Sequence, residues 1–98
     1  MCQNTTMARI DPDALHPDIM VARARVARSL ASSALVEGST DPSTLASYTH
    51  WLAVSVLLGD VDIDVAAHSL DRARQVFDAN LYNAAQVVKR LTPPHNPK

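Results

Sequence analysis

Asp64 and His68 stand four residues apart in a segment predicted to be helical, and Arg72 follows four residues later. This spacing puts the three side chains on one face of a helix, where a carboxylate can orient an imidazole for acid–base chemistry. The same spacing also produces a ladder of charges on a helix surface. No nucleophile motif or phosphate-binding loop stands close to them. We therefore predict that the chain is not an enzyme, and we assign it no catalytic residue and no cofactor.

The densest group of possible metal ligands is Asp60, Asp62, Asp64 and Asp71. Their spacing matches positions 1, 3, 5 and 12 of a calcium-binding EF-hand loop. Such a loop needs glycine at position six, which is Val65 here, and normally ends on glutamate rather than aspartate. We interpret the aspartates instead as acidic residues near the start of a helix, where they complement the positive end of its dipole.

The softer ligands are scattered along the chain. Cys2 is the only cysteine, which excludes an intrachain disulfide and a cysteine-based zinc site. None of the four histidines lies four residues from another, so the usual helical zinc spacing is missing. These histidines are His16, His50, His68 and His95. We predict no metal site.

Arginines concentrate in the first helical segment, at positions 23, 25 and 28. Arg25 and Arg28 share one face of a helix, where they could contact phosphates, and this makes a nucleic-acid-binding transcriptional regulator the alternative function. Arg23 projects instead from the apolar side of the helix, where it either extends its charged end to solvent or pairs with a carboxylate of another helix. We expect the pair, because an unpaired buried charge is costly. The net charge of −1 provides no general attraction to nucleic acid.

Prolines and glycines divide the chain into helical segments. The first is predicted to run from about Pro17 to Val36. The second is predicted to begin with Asp41 as its N-cap and Pro42 in its first turn, and to end before Gly59.

The third segment carries an apolar residue at every seventh position. These residues are Ile63, Leu70, Phe77, Ala84 and Leu91. The repeat predicts one long helix from about residue 62 to residue 91, although Asn80 could mark a kink or a break. Residues 60–71 contain four aspartates and no arginine or lysine, whereas residues 72–98 contain five basic residues and one aspartate, which agrees with the direction of the helix dipole.

Apolar faces predict which sides of the first two helices are buried. The predicted core face of the first helix consists of Ile19, Val26, Ala27, Leu30 and Ala34. The second helix is apolar on two opposite sides, one of which carries Leu45, Leu52 and Val56. The other side combines aromatic area with polar groups, as interfaces do. The interface residues predicted on that side are Tyr48, Trp51, Ser55 and Leu58.

Composition favours an all-α protein. The 98 residues are 47% hydrophobic and include fifteen alanines, but only two glycines and four aromatic residues. Alanine favours helix, whereas β-sandwiches and barrels need turn glycines and strand aromatics. We predict one domain over residues 11–92, a small three-helix unit with a long C-terminal helix, flanked by flexible tails over 1–10 and the proline-rich 93–98. Three helices form a small core, so a second copy is expected to cover the remaining apolar surface in a helical homodimer.

These expectations favour a small non-enzymatic interaction protein. We predict a regulator, inhibitor or adaptor that binds another protein through a helical surface. The polar N-terminal residues lack the pattern of a signal peptide, and no apolar run is long enough to cross a membrane, so the predicted location is the cytoplasm. The excess of arginine over lysine suggests a bacterial or phage protein.

Overall fold

The computed structural model describes residues 16–92, which form three α-helices and contain no strand. Helix α1 is Pro17–Val36, α2 is Pro42–Leu57 and α3 is Ile63–Leu91. The prediction of an all-α, three-helix chain with a long third helix is confirmed. The predicted tails over 1–10 and 93–98 lie outside the described residues.

The residues predicted to begin and end α2 do so in the structure. The Asp41 carboxylate accepts a hydrogen bond from the backbone N–H of Ser43 at 2.9 Å, and Pro42 occupies the first turn. Gly59 follows the helix at φ +77°, a backbone conformation that glycine adopts without steric cost. The backbone N–H of Asp60 then reaches the carbonyl of Ser55 at 2.9 Å, which closes the last turn.

Helix α1 ends in the same way, and α3 runs past this end without interruption. Gly38 has φ +103°, and the backbone N–H of Ser39 donates to the carbonyl of Ala34 at 3.0 Å. The side-chain amide of Asn80 donates to the carbonyls of Leu35 and Ser39 at 2.8 and 2.9 Å. Asn80 therefore does not break α3; it joins the middle of that helix to the α1–α2 turn.

The core is small and rich in alanine. Its buried residues are Ala24, Ala31 and Leu35 from α1, Leu52 and Ser55 from α2, and Ala66, Ala73 and Phe77 from α3. Leu35, Ala73 and Phe77 form one cluster, and Leu45, Tyr48 and Val76 pack around it. Small residues let helices approach closely, and the most extensive helix pair is α1 with α2.

The predicted core face of α1 was wrong at its three large residues, whereas Ala27 and Ala34 are half-buried. Ile19, Val26 and Leu30 are exposed at 41%, 60% and 68%, while the buried residues of the helix lie about 140° around its axis at 100° per residue.

Two features of the opposite side of α1 explain this orientation. Ala24 and Ala31 on that side are small enough to allow close packing. Arg25 and Arg28 on the same side reach Asp60, which follows α2 in the chain.

Candidate interaction site

An apolar groove lies between α2 and the first half of α3. One part of it has a volume of about 440 Å³ and is lined by Thr49, Leu52, Ala53, Val56, Leu57, Ile63, Ala66, Ala67 and Leu70. A second part, of about 540 Å³, shares Thr49 and Leu70 and extends to Pro42, Arg74 and Phe77. We call the two parts together the α2–α3 groove. It follows α2 along its length, and Leu57 at its rim is 85% exposed.

The second half of α3 forms an arm, defined as residues 81–91. Every residue of the arm is exposed except the half-buried Gln86. Its apolar stripe consists of Leu81, Ala84, Val88 and Leu91. Steps of three, four and seven residues connect this stripe with Ile63, Ala67, Leu70 and Phe77, so the arm continues the face of α3 that lines the groove.

Ser55, one of the predicted interface residues of α2, is buried within a single copy of the chain. This residue is 0% exposed, and its hydroxyl donates to the carbonyl of Trp51 at 2.8 Å. Ser55 is therefore an interior residue of the chain itself. Its small size and internal hydrogen bond suit it to a tight helix contact.

The other three predicted interface residues are half-buried. Tyr48 packs against the cluster of Leu35, Ala73 and Phe77. Trp51 contacts the ring of His50 edge-to-face, with centroids 5.0 Å apart and an interplanar angle of 82°. Leu58 lies at the C-terminal end of α2. Packing within the chain thus already occupies part of the surface that we predicted for a partner.

Two arginines of α1 converge on Asp60, in the segment between α2 and α3. Arg25 Nε donates to Asp60 Oδ2 at 2.9 Å, and a second, short hydrogen bond joins its Nη2 to Oδ1. Arg28 Nη2 lies 3.5 Å from Oδ2. The hydrogen bond from Arg25 lowers the pKa of the Asp60 carboxyl, burial opposes the shift, and the charges of both arginines add to it. The same hydrogen bond raises the pKa of Arg25.

This ion pair changes how the arginines of α1 are understood. Arg25 and Arg28, the predicted nucleic-acid contacts, direct their charge at a carboxylate of the same chain. Nucleic-acid binding stays a prediction, and any phosphate contact would have to compete with Asp60. The expectation for Arg23 was wrong, since Arg23 is exposed and, within residues 16–92, forms no ion pair. The rotation of α1 described above turns this side chain to the surface.

Of the three polar residues predicted to share a face of α3, Asp64, His68 and Arg72, only the last two line the same cavity. His68 and Arg72 line a shallow cavity of about 310 Å³ with Ser69 and Tyr48, but Asp64 is not part of its wall. Across residues 16–92, no hydrogen bond or ion pair joins Asp64 to His68. The cavity therefore holds an imidazole and a guanidinium without the carboxylate that would orient the imidazole.

The aspartates with EF-hand-like spacing likewise do not converge on one site. Asp60 accepts from Arg25, Asp62 occupies the N-cap position of α3, and Asp64 already belongs to its first turn. In the part of the chain that the structure describes, no group of three or more histidine, cysteine or acidic residues could hold a metal ion.

Sequence reasoning missed the structural roles of three residues, Asn80, Leu57 and Asp60. Asn80 gave a signal, because it interrupts an otherwise apolar position of the α3 repeat. Leu57 gave a weaker one, since it lies outside the predicted faces of α2. The sequence predicts Asp60 only as an acidic residue near the start of a helix, because nothing close to it points to the arginines 32 and 35 residues earlier.

Comparison with known proteins identifies no relative. No protein-family model, no curated protein sequence and no solved structure matches this chain. Among residues 16–92, no helix is both long and apolar enough to cross a membrane.

Proposed function

We propose that the protein is a small non-enzymatic interaction protein, a regulator, inhibitor or adaptor that binds another protein chain through the arm and the α2–α3 groove. The observation that carries this proposal is the uncovered apolar face of α3. That face continues from the groove into the arm, where no other helix of residues 16–92 packs against it. Large contiguous apolar surfaces of this kind are typical of sites where proteins bind one another.

The balance of buried and exposed residues supports the same function. The described residues bury seven hydrophobic side chains, four of them alanines, and leave twelve large hydrophobic side chains exposed. An isolated helix as short as the arm is marginally stable in water, because its stability depends on tertiary packing. A binding partner supplies that packing.

The test compares two matched variants of the full chain. Tagged wild-type protein, Leu57→Asp and Val65→Asp are produced in the native host, cross-linked and purified, and the proteins recovered are quantified by mass spectrometry. Leu57 lines the groove, whereas Val65 is exposed on α3 but lines neither part of it. We expect wild type and Val65→Asp to recover the same protein, which can be a second copy of the chain, and Leu57→Asp to lose it.

Binding is then measured with purified components by calorimetry. The proposal predicts that Leu57→Asp weakens binding at least tenfold and that Val65→Asp leaves the affinity close to that of wild type. Equal binding by both variants, or no protein recovered with the wild-type chain, would contradict the proposed function.

A further inference from the structure

We infer that the chain bound by the arm and the groove is a second copy of this protein, in an antiparallel two-fold dimer. In this dimer the arm of each copy lies in the α2–α3 groove of the other. The inference rests on the proposed function and names the partner. The lengths, side-chain sizes and charges of the two halves of α3 support it.

The two halves of the apolar α3 face have matching lengths. Fourteen residue steps separate Ile63 from Phe77, and fourteen separate Phe77 from Leu91. At 1.5 Å per residue, each half is about 21 Å long. When the two-fold axis passes beside Phe77, the arm of the antiparallel copy lies along residues 63–77 of α3, the half that lines the groove. The symmetry places the other arm in the same way.

In two of the three residue pairs across this arrangement, a small side chain faces a larger one. With the axis beside Phe77, the residues that fall opposite one another are Leu91 with Ile63, Val88 with Ala66, and Ala84 with Leu70. Ala84 leaves room for the larger Leu70, and Val88 fills the space above a small alanine. Pairs of this kind let two helices interdigitate without voids. Leu57, almost fully exposed at the groove rim, adds apolar surface from α2.

The charges of α3 favour the antiparallel orientation. Asp64 lies in the first turn of the helix, and Lys89 and Arg90 lie in its last turn. An antiparallel pair puts the acidic start of each helix beside the basic end of the other and also opposes the two helix dipoles. A parallel pair would bring like charges together at both ends.

The two-fold symmetry also increases the area of the interface. A stable interface buries about 1,200 Å² or more in total, which a single short helix on a shallow groove reaches with difficulty. Two-fold symmetry makes the arm–groove contact twice, and it gives both arms the tertiary packing that they lack in one copy.

The first experiment measures the mass of the full chain in solution by size exclusion with light scattering. We expect wild type and Val65→Asp to be dimers, and Val88→Asp and Leu57→Asp to be monomers. Circular dichroism checks that each variant stays helical; Val88 and Leu57 are both exposed in the single chain, so neither change disturbs its core. A monomeric wild type, or a dimer that survives both substitutions, would overturn the inference.

The second experiment determines the orientation by disulfide trapping in a Cys2→Ser background. Chains with Ile63→Cys and chains with Leu91→Cys are mixed and mildly oxidised. The antiparallel dimer places position 63 of one copy beside position 91 of the other, so the mixture should yield the mixed disulfide. Each variant alone should yield little covalent dimer, because its two thiols lie at opposite ends of the helix pair. Efficient trapping of either variant with itself would indicate a parallel pair and overturn the inference.

The two proposals fail in different ways. A monomeric wild-type chain that still recovers a different protein, with loss in Leu57→Asp, would overturn the dimer and leave the proposed function standing. A monomeric chain that recovers no protein would overturn both.

Discussion

The side-chain amide of Asn80 donates to the carbonyl of Leu35 at 2.8 Å across 45 residues of sequence. Leu35 lies in the last turn of α1, where carbonyls lack partners within the helix. The contact fixes α3 against the α1–α2 turn, and the arm begins at the next residue. One asparagine thus marks the boundary between the packed half of α3 and the half that is left for a partner.

Replacement of Asn80 should therefore destabilise the chain. Asn80→Ala removes the donor to two carbonyls, those of Leu35 and Ser39. We expect the free energy of unfolding to fall by about 1–3 kcal/mol, as measured by urea denaturation. Asn83→Ala is the matched control, because Asn83 is exposed on the same helix. Equal effects of the two changes would contradict the structural role of Asn80.

The ion pair of Asp60 should be visible in the thermal stability. Asp60→Asn removes the carboxylate that two arginines share, so we expect a lower Tm at neutral pH. Asp71→Asn, which changes an exposed aspartate of α3, should shift the Tm less. Scanning calorimetry of the three proteins provides the comparison.

The difference in Tm between wild type and Asp60→Asn should depend on pH, because the pKa of Asp60 is lowered. A carboxyl with a depressed pKa in the folded state stabilises the fold fully above its unfolded-state pKa of about 3.9. The contribution is lost as the pH falls through the lower pKa of the folded state. The difference in Tm between wild type and Asp60→Asn should thus be largest near neutral pH and shrink in increasingly acidic buffers. A difference that grows on acidification would contradict this assignment.

The glycine after α2 should tolerate asparagine better than alanine. Gly59 has φ +77°, and no atom lies within 4 Å of the position that a Cβ would occupy. The cost of Gly59→Ala is therefore one of backbone conformation, about 1–2 kcal/mol. Gly59→Asn should cost less, because asparagine enters the left-handed region more readily. Chemical denaturation of both variants tests the order.

Arg23 and Arg25 should differ in their effect on stability. Arg23→Ala changes an exposed side chain, so the free energy of unfolding should stay within about 0.5 kcal/mol of wild type. Arg25→Ala takes both of its hydrogen bonds away from Asp60, and we expect the Tm to fall more than in Arg23→Ala. A larger loss of stability in Arg23→Ala than in Arg25→Ala would mean that α1 packs against the chain with the side that carries Arg23.

The bounds of the helices could be predicted because their signals are local. Pro17, Asp41, Pro42 and the two glycines act on the backbone of their own turns. The seven-residue repeat of α3 was equally readable, because no break outweighed it. Local signals of this kind are read from a few neighbouring residues without knowledge of the packing.

The rotation of α1 could not be predicted from hydrophobicity. The larger side chains Ile19 and Leu30 dominate the apolar face of a helical wheel, yet they are exposed, and the buried residues are Ala24, Ala31 and Leu35. How closely α1 approaches α2 depends on the shape of the facing helix, which is a property of the pair. The Arg25–Asp60 contact spans 35 residues and is likewise invisible to local pattern. The burial of Ser55 within the chain was not predicted either, because its polarity suggested a surface position, whereas its small size suits a tight helix contact.

The close approach of α1 and α2 limits which substitutions the chain can accept. Ala24 and Ser55 are both 0% exposed, so a larger side chain at either position meets filled space. In a saturation-mutagenesis library selected for folding, these two positions should accept only residues of about their own size, whereas Ile19 and Leu30 should vary freely. Descendants of this sequence would then diverge fastest at their most hydrophobic α1 positions and keep their smallest residues.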